Sequence, residues 1–405
     1  MSSSPDRSAG LPGWLHEPLP KVRRDGAERA VPPQATIERV RPLLPILGIT
    51  RIANITGLDR IGIPTTSVFR PNSRSLAVSQ GKGLTLDAAI ASGVMEALEL
   101  FHAERVFQPI KLASANELQW MEDIVDLAAL PPNSARLFHP DRRLLWIESL
   151  DLQEGYPVWL PFESVHLDST MPLPTGSGCF DQSSNGLASG NHPLEAVHHA
   201  LCELIERDAY SHYREAGPQV SDAARLDLTT VDDPACIEIL EKYAAAEIDV
   251  AVWDMTSRLG IAAFHCIIVE RRGHGWRQIA ATGGMGCHPS RGVALLRALT
   301  EAAQSRLTWI SGTRDDMMRS RHEILQGADV VDQMRQDMND QKPVRSFADV
   351  PSRESNDIHD DVHGLLGRLR ENGLEQALMV DLTHPALSIP VVKMVVPGLR
   401  GIIHH

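Results

Sequence analysis

The 405-residue chain carries 52 acidic against 39 basic side chains, a formal charge of −13, in a composition that is 43% hydrophobic. That balance excludes a disordered chain and argues against a nucleic-acid surface, and the longest apolar runs, 261–269 and 387–396, are too short or too interrupted to span a bilayer. Five cysteines without C-x-x-C spacing suggest neither a disulfide framework nor a zinc site, and the N-terminus has no cleavable hydrophobic segment, so free thiols and a cytoplasmic location are expected.

Residues 1–35 are rich in Ser, Pro, Arg and Gly without a hydrophobic period and read as a flexible lead-in to one domain over 36–405. A short helix is predicted at 37–44 and strands at 50–55 and 67–70. Ser79-Gln80-Gly81-Lys82-Gly83 reads as a glycine-rich turn into a first long helix, 86–106. A variable middle, 110–175, holds strands at 143–147 and 158–160. The small-residue loop 183–191 then leads to a second helix that Pro193 can open and that runs to about Arg214. Strands follow at 248–254, 262–270 and 277–281, the last closed by Gly283-Gly284-Met285-Gly286, and a third helix spans 290–310. A charged, proline-punctuated region with one helix near 321–338, a helix at 357–372 and strands at 377–382 and 390–396 complete a mixed α/β or α+β pattern.

The three long helices each place polar side chains along one stripe of an apolar background. These are Ser92, Glu96 and Glu99; then Glu195, His199, Glu203 and Glu206; then Arg297, Glu301 and Gln304. A single E-x-x-E is usually a solvated face, but three stripes with carboxylates among Val, Met, Leu and Ile call for a compensating partner. Either a hard cation, which commonly brings phosphate with it, or a buried network with arginines would supply one. Gln-Gly-Lys-Gly lacks P-loop spacing, so Lys82 is a phosphate candidate only by its setting, and an ordinary turn competes with that reading. Asn191 reads from spacing as an N-cap. Adjacent Cys287-His288 point apart in extended chain, which disfavours a nucleophile–base pair. His198-His199 and His404-His405 read as a helix-face pair and a tail.

Taken together and in this order, three blocks resemble the YcaO family. They are Ser-Gln-Gly-Lys-Gly with Ala-Ser-Gly-Val-Met-Glu-Ala-Leu-Glu; Ser-Asn-Gly-Leu-Ala-Ser-Gly-Asn with Glu-Leu-Ile-Glu-Arg-Asp-Ala; and His-Pro-Ser with Ala-Leu-Leu-Arg-Ala-Leu-Thr-Glu-Ala-Ala-Gln-Ser-Arg. The resemblance covers about 54–398. It implies a fold of mixed sheets and long helices whose polar stripes converge on an ATP and Mg2+ site. It also implies an ATP-dependent enzyme that phosphorylates the oxygen of a peptide or protein backbone amide during attack by a nucleophile. Carried over, it makes Glu96, Glu99, Glu203 and Glu206 the Mg2+ ligands. Lys82, Ser92, Asn191, Glu195, Arg207 and Arg306 become nucleotide or phosphate contacts, with Ser79, Glu301 and Gln304 as further site residues; the catalytic residue itself is not identified.

The nucleophile decides the product: Cys, Ser or Thr gives an azoline, sulfide a thioamide, and an amine an amidine. The chain ends Val-Val-Pro-Gly-Leu-Arg-Gly-Ile-Ile-His-His where azoline-forming members commonly end in a proline-rich tail. The expectation is therefore thioamide formation with a TfuA-like, sulfur-delivering partner. An azoline-forming cyclodehydratase working with a leader-peptide-binding protein, and a non-catalytic ATP-binding accessory protein, are the alternatives. A homodimer is expected from the family.

Overall fold

The computed structural model describes residues 10–22, 26–133, 135–217, 222–271, 279, 281–314, 328–340 and 342–401. After α1 (Pro33–Val40) comes a first antiparallel sheet of β1 (Arg51–Asn54), β2 (Thr65–Phe69) and β3 (Val78–Lys82), in that order. Helix α2 (Leu86–Ala103) follows at once, its start fixed by Thr85, whose hydroxyl oxygen accepts from Ala88 N at 3.2 Å. β4 (Ile110–Ser114), the one-turn α3 (Ala115–Leu118), β5 (Arg143–Asp151), β6 (Pro157–Pro161) and β7 (Leu187–Ser189) lead to α4 (Pro193–Ala216). Pro193 opens that helix, and the side chain of His192 caps it by accepting from Leu194 N.

Next come β8 (Leu226–Asp227), α5 (Pro234–Ala245), β9 (Ile248–Asp254), β10 (Ala263–Glu270), β11 (Thr282–Cys287) and α6 (Arg291–Ser311). The chain closes through α7 (Ala328–Asp340), β12 (Arg345–Ser346), α8 (Ile358–Glu371), β13 (Leu378–Asp381) and β14 (Val391–Val395). A six-stranded sheet runs β4-β5-β13-β14-β7 with β6 added on β5, a second three-stranded sheet runs β11-β10-β9, and β8 pairs with β12 in parallel. This is the mixed fold expected from the sequence.

The striped helices pack on these sheets: α2 on β3, α4 on β7 and β14, α6 on β11. One apolar core surrounds Leu98 and Trp146, a second joins α4 to α8 through Leu201, Ile205 and Leu365, and a third joins α5 and α6 to β10 through Tyr243, Leu299 and Phe264. Removing these side chains from water is what holds each helix on its sheet.

Two glycine-rich stretches expected as turns are strands. Ser79 to Lys82 belongs to β3 and Gly283 to Gly286 to β11. Glycine serves here for close approach, because a Cβ at Gly81 would overlap the backbone of Ala89 and Gly93 on α2, and one at Gly284 or Gly286 the backbone of α6. Of the strand expected at 277–281, residues 277, 278 and 280 lie outside the described residues. So do 321–327 of the helix expected at 321–338, and the terminal histidines. β4 and α5 were not anticipated. Within the segment expected as a flexible lead-in, residues 10–22 and 26–35 lie against the domain: Leu15 is buried in the second core and Pro20 bridges to Asp357.

Candidate active site

Helices α2, α4 and α6 stand around a cavity of about 540 Å³. Each contributes the stripe read from its sequence: Ser92, Glu96 and Glu99 from α2; Glu195, His199, Glu203 and Glu206 from α4, which adds Arg207; and Arg297, Glu301 and Gln304 from α6. Lys82 enters from the end of β3, and Asn191 from the turn before α4. Residues more than 200 positions apart thus share one wall because three amphipathic helices turn their polar lines to the same space.

Hydrogen bonds hold several of these groups in place. Glu99 Oε1 accepts from Ser189 N at 2.8 Å and Ser189 Oγ at 2.7 Å, which ties α2 to β7. Glu195 accepts from Asn191 N and from Arg29 Nη1, each at 3.2 Å. Lys82 Nζ donates to Glu301 Oε2, while Glu301 Oε1 accepts from Met285 N at 3.2 Å. Arg207 reaches two carboxylates, Glu203 at 3.7 Å and Glu206 at 3.6 Å.

The carboxylates do not share one fate. Burial raises Glu96 to about 7, against the opposing charges of Arg314 and Lys82. Burial raises Glu99 to about 8, with Glu96 and Glu203 adding to it and Ser189 opposing. Burial also raises Glu206, to about 7, and moves Glu203 upward although Arg207 and Lys393 oppose it. Glu301 goes the other way, because Lys82 and then Arg207 outweigh its burial. Carboxylates that the protein's own cations do not fully compensate are the oxygen donors from which hard divalent cations draw their ligands.

These carboxylates ring the cavity rather than meeting at one point. Among the described residues, three ligand atoms lying within 4.8 Å of one another occur instead at His198, His288 and Asp361. A spread ring suits Mg2+, which binds through one or two carboxylates and completes its shell with phosphate oxygens and water.

Two expected site residues lie elsewhere. Arg306 is 2% exposed and bonds Asp59 Oδ2 at 2.9 Å and Glu270 Oε1 at 2.7 Å, away from the cavity. It lies five residues beyond Glu301, about 140° round the helix, so it cannot share that stripe. Ser79 does not line the cavity either, since on β3 the alternation that turns Gln80 and Lys82 to it turns Ser79 away. Asn191 is not the N-cap of α4; that is His192, and Asn191 Nδ2 instead donates to Thr36 Oγ1 at 2.9 Å.

The cavity also holds residues that were not assigned to it from sequence, among them Gln80, Arg29 and Thr308. Strand alternation from Lys82 would have found Gln80, and the i+7 step from Glu301 Thr308. Arg29 carried no signal, because the segment around it has no period.

A family model described as YcaO cyclodehydratase, ATP- and Mg2+-binding, matches residues 80–400. A protein of Rhizobium leguminosarum bv. trifolii, described as uncharacterized and in the tfuA 3′ region, is 36% identical over 387 residues, 93% of this chain and 89% of its own. Among solved structures, YcaO from Methanopyrus kandleri bound with AMPPCP and Mg2+ is similar with TM-score 0.73 and 22% identity, covering 94% of each chain. A heterocyclase in complex with substrate and cofactor gives TM-score 0.78 at 24% identity over 97% of this chain, which spans only 54% of that longer one.

Proposed function

The chain belongs to the YcaO family, and from that membership we propose that it replaces a backbone amide oxygen of a peptide or protein by sulfur. It is an ATP-dependent, Mg2+-binding enzyme that activates amides. In the proposed reaction a sulfide adds to the amide carbon and the resulting oxyanion takes the γ-phosphoryl group of ATP. Phosphate then leaves with the former amide oxygen, and loss of a proton leaves the C=S bond. Such transfer needs positioning and charge neutralisation more than covalent help from the protein, and Mg2+ supplies neutralisation at the phosphates.

The observation that carries this reading is the gathering of all three stripes on one cavity. Glu96, Glu99, Glu203 and Glu206 are the groups to hold Mg2+, and Lys82, Ser92, Asn191, Glu195 and Arg207 those to contact the nucleotide. Glu301 fixes the Lys82 ammonium, and Gln304 lies one turn further along the same wall. The Rhizobium relative in the tfuA 3′ region supports sulfur as the incoming atom and a TfuA-like protein as the partner that delivers it. The protein acts as a homodimer in the cytoplasm in this reading, a compartment that suits its five free, buried cysteines.

Likeness to a heterocyclase supports a second reading, azoline formation on Cys, Ser or Thr of a precursor presented by a leader-peptide-binding protein. Peptide-dependent ATP hydrolysis followed by mass spectrometry of the peptide separates the two. Exchange of oxygen for sulfur is expected; loss of one water supports the azoline instead. Absence of peptide-dependent hydrolysis with every substrate and partner tried would sink both and leave an ATP-binding accessory role.

A further inference from the structure

Residues 19–22 and 26–32 precede α1; Leu19, Ala30 and Val31 pack in the second core, while Gly26, Arg29 and, on α1, Thr36 line the cavity. Gly26 lies so close to Leu84 and Leu296 that a Cβ there would overlap both side chains. Arg29 donates to Glu195 at 3.2 Å, and Thr36 accepts from Asn191 at 2.9 Å. Residues 26–36 therefore touch the turn before α2, the start of α4 and the body of α6, the three elements that carry the polar stripes.

Behind α4 the same segment is tied into a buried polar cluster. Lys21 Nζ lies 2.6 Å from Asp361 Oδ2 on α8 and also bonds Glu28. His198 Nε2 is 3.6 Å from Asp361 Oδ2, and His288 Nε2 is 3.9 Å from Glu28 Oε2. Two histidines and an aspartate suggest a metal site, but the hydrogen bonds oppose one. Ser290 N–H donates to His288 Nδ1 at 3.0 Å. A neutral imidazole that accepts at Nδ1 carries its proton on Nε2 and has no lone pair there for a cation. Burial, then the charges of His198 and Lys21, hold His288 well below its ordinary value and so neutral. The cation of this cluster is the Lys21 ammonium.

We propose that Lys21 is a positioning residue for nucleotide binding: anchored by Asp361 and Glu28, it holds residues 26–36 across the cavity and keeps Arg29 on Glu195. The proposal rests on the nucleotide reading given above. Main-chain bonds secure the first limb to the domain, with Lys21 N donating to Asn356 O at 2.9 Å, whereas Val22 N to Arg29 O, 3.1 Å, joins the two limbs only to each other. The Lys21 side chain links both limbs to α8. Without it, Glu28 and Asp361 share a buried space with no ammonium between them, and the second limb is pushed away from the domain. Neither Lys21 nor Asp361 lines the cavity, so the effect falls on nucleotide affinity and not on the chemical step.

The test is calorimetric titration of the full chain with AMPPCP in the presence of Mg2+, paired with steady-state ATP hydrolysis. Failure of the wild-type protein to bind overturns the nucleotide reading and this proposal with it. Where wild type binds, Lys21→Met is expected to weaken affinity and raise KM for ATP on the order of tenfold, with kcat at saturating ATP held within about twofold. Cleavage by trypsin after Arg29 should accelerate in the same variant, and Lys21→Arg should restore both affinity and protection. Glu28→Gln, a milder change, serves where Lys21→Met does not fold, with the same direction expected. Wild-type affinity in the folded variants, or a fall in kcat at unchanged KM, overturns the positioning role.

Discussion

Glu99 shows how one residue couples the site to folding. Its folded-state value is raised from 4.5 to about 8, by burial first, so between those values the folded protein holds a proton that the unfolded chain has released. The sign follows: this contribution to stability is fully present below pH 4.5 and is lost as pH rises to about 8. The ligand-free protein should therefore melt at lower temperature as pH rises through that window, and Glu99→Gln should flatten the slope; an equal slope in both proteins, read by calorimetry, contradicts the assignment. Arg306 gives the opposite kind of residue. Replacing it by Met takes the cation from the buried Asp59 side chain and leaves Glu270 only Arg60 at 3.8 Å, so stability should fall by about 3 kcal/mol while KM for ATP stays unchanged. The two residues also mark what sequence can tell. Glu99 declared itself because a carboxylate seven positions after Ser92 stays on one stripe, whereas Arg306 matched a motif string whose spacing had already carried it to the far side of α6.

Elements place these residues, and glycine decides how closely. β11 presses on α6 at Gly284 and Gly286, where a side chain has no room. Gly284→Ala must push the helix off its sheet and should cost upwards of about 2 kcal/mol in denaturant unfolding. It should also lower nucleotide affinity, because Met285 N holds Glu301 and Glu301 holds Lys82. Gly364→Ala, on α8 with open space around the new methyl, should instead stabilise by about 1 kcal/mol. Equal effects at the two positions would remove close packing as the reason for the glycines. This explains an uneven reading of the elements. The long helices were legible because the 3.6-residue period, a Thr85 cap and Pro193 mark them. β3 and β11 were taken as turns because a strand whose glycines are selected by a neighbouring helix carries no β-branched signature, and the helix that selects them lies elsewhere in the sequence.

At the scale of the whole molecule, the cavity exists only when α2, α4 and α6 are brought together from three distant parts of the chain. A ligand bound there therefore stabilises the assembled state and not any single segment. Mg2+ with AMPPCP at a hundredfold its dissociation constant should add about 2.7 kcal/mol to unfolding free energy, visible as a rise in melting temperature that a chelator abolishes. Glu203→Gln separates this linkage from general damage. Glu203 faces the cavity, 3.7 Å from Arg207 and with its own value raised by burial in spite of that cation, so a neutral isostere removes the cost of burying a charge in the free protein. The variant should melt at or above the wild-type temperature without ligand and lose the Mg2+-dependent shift. A wild-type shift in Glu203→Gln would remove that carboxylate from the cation site; a large drop in its ligand-free melting temperature would make Glu203 a structural partner of Arg207, the buried network that competed with a cation from the outset.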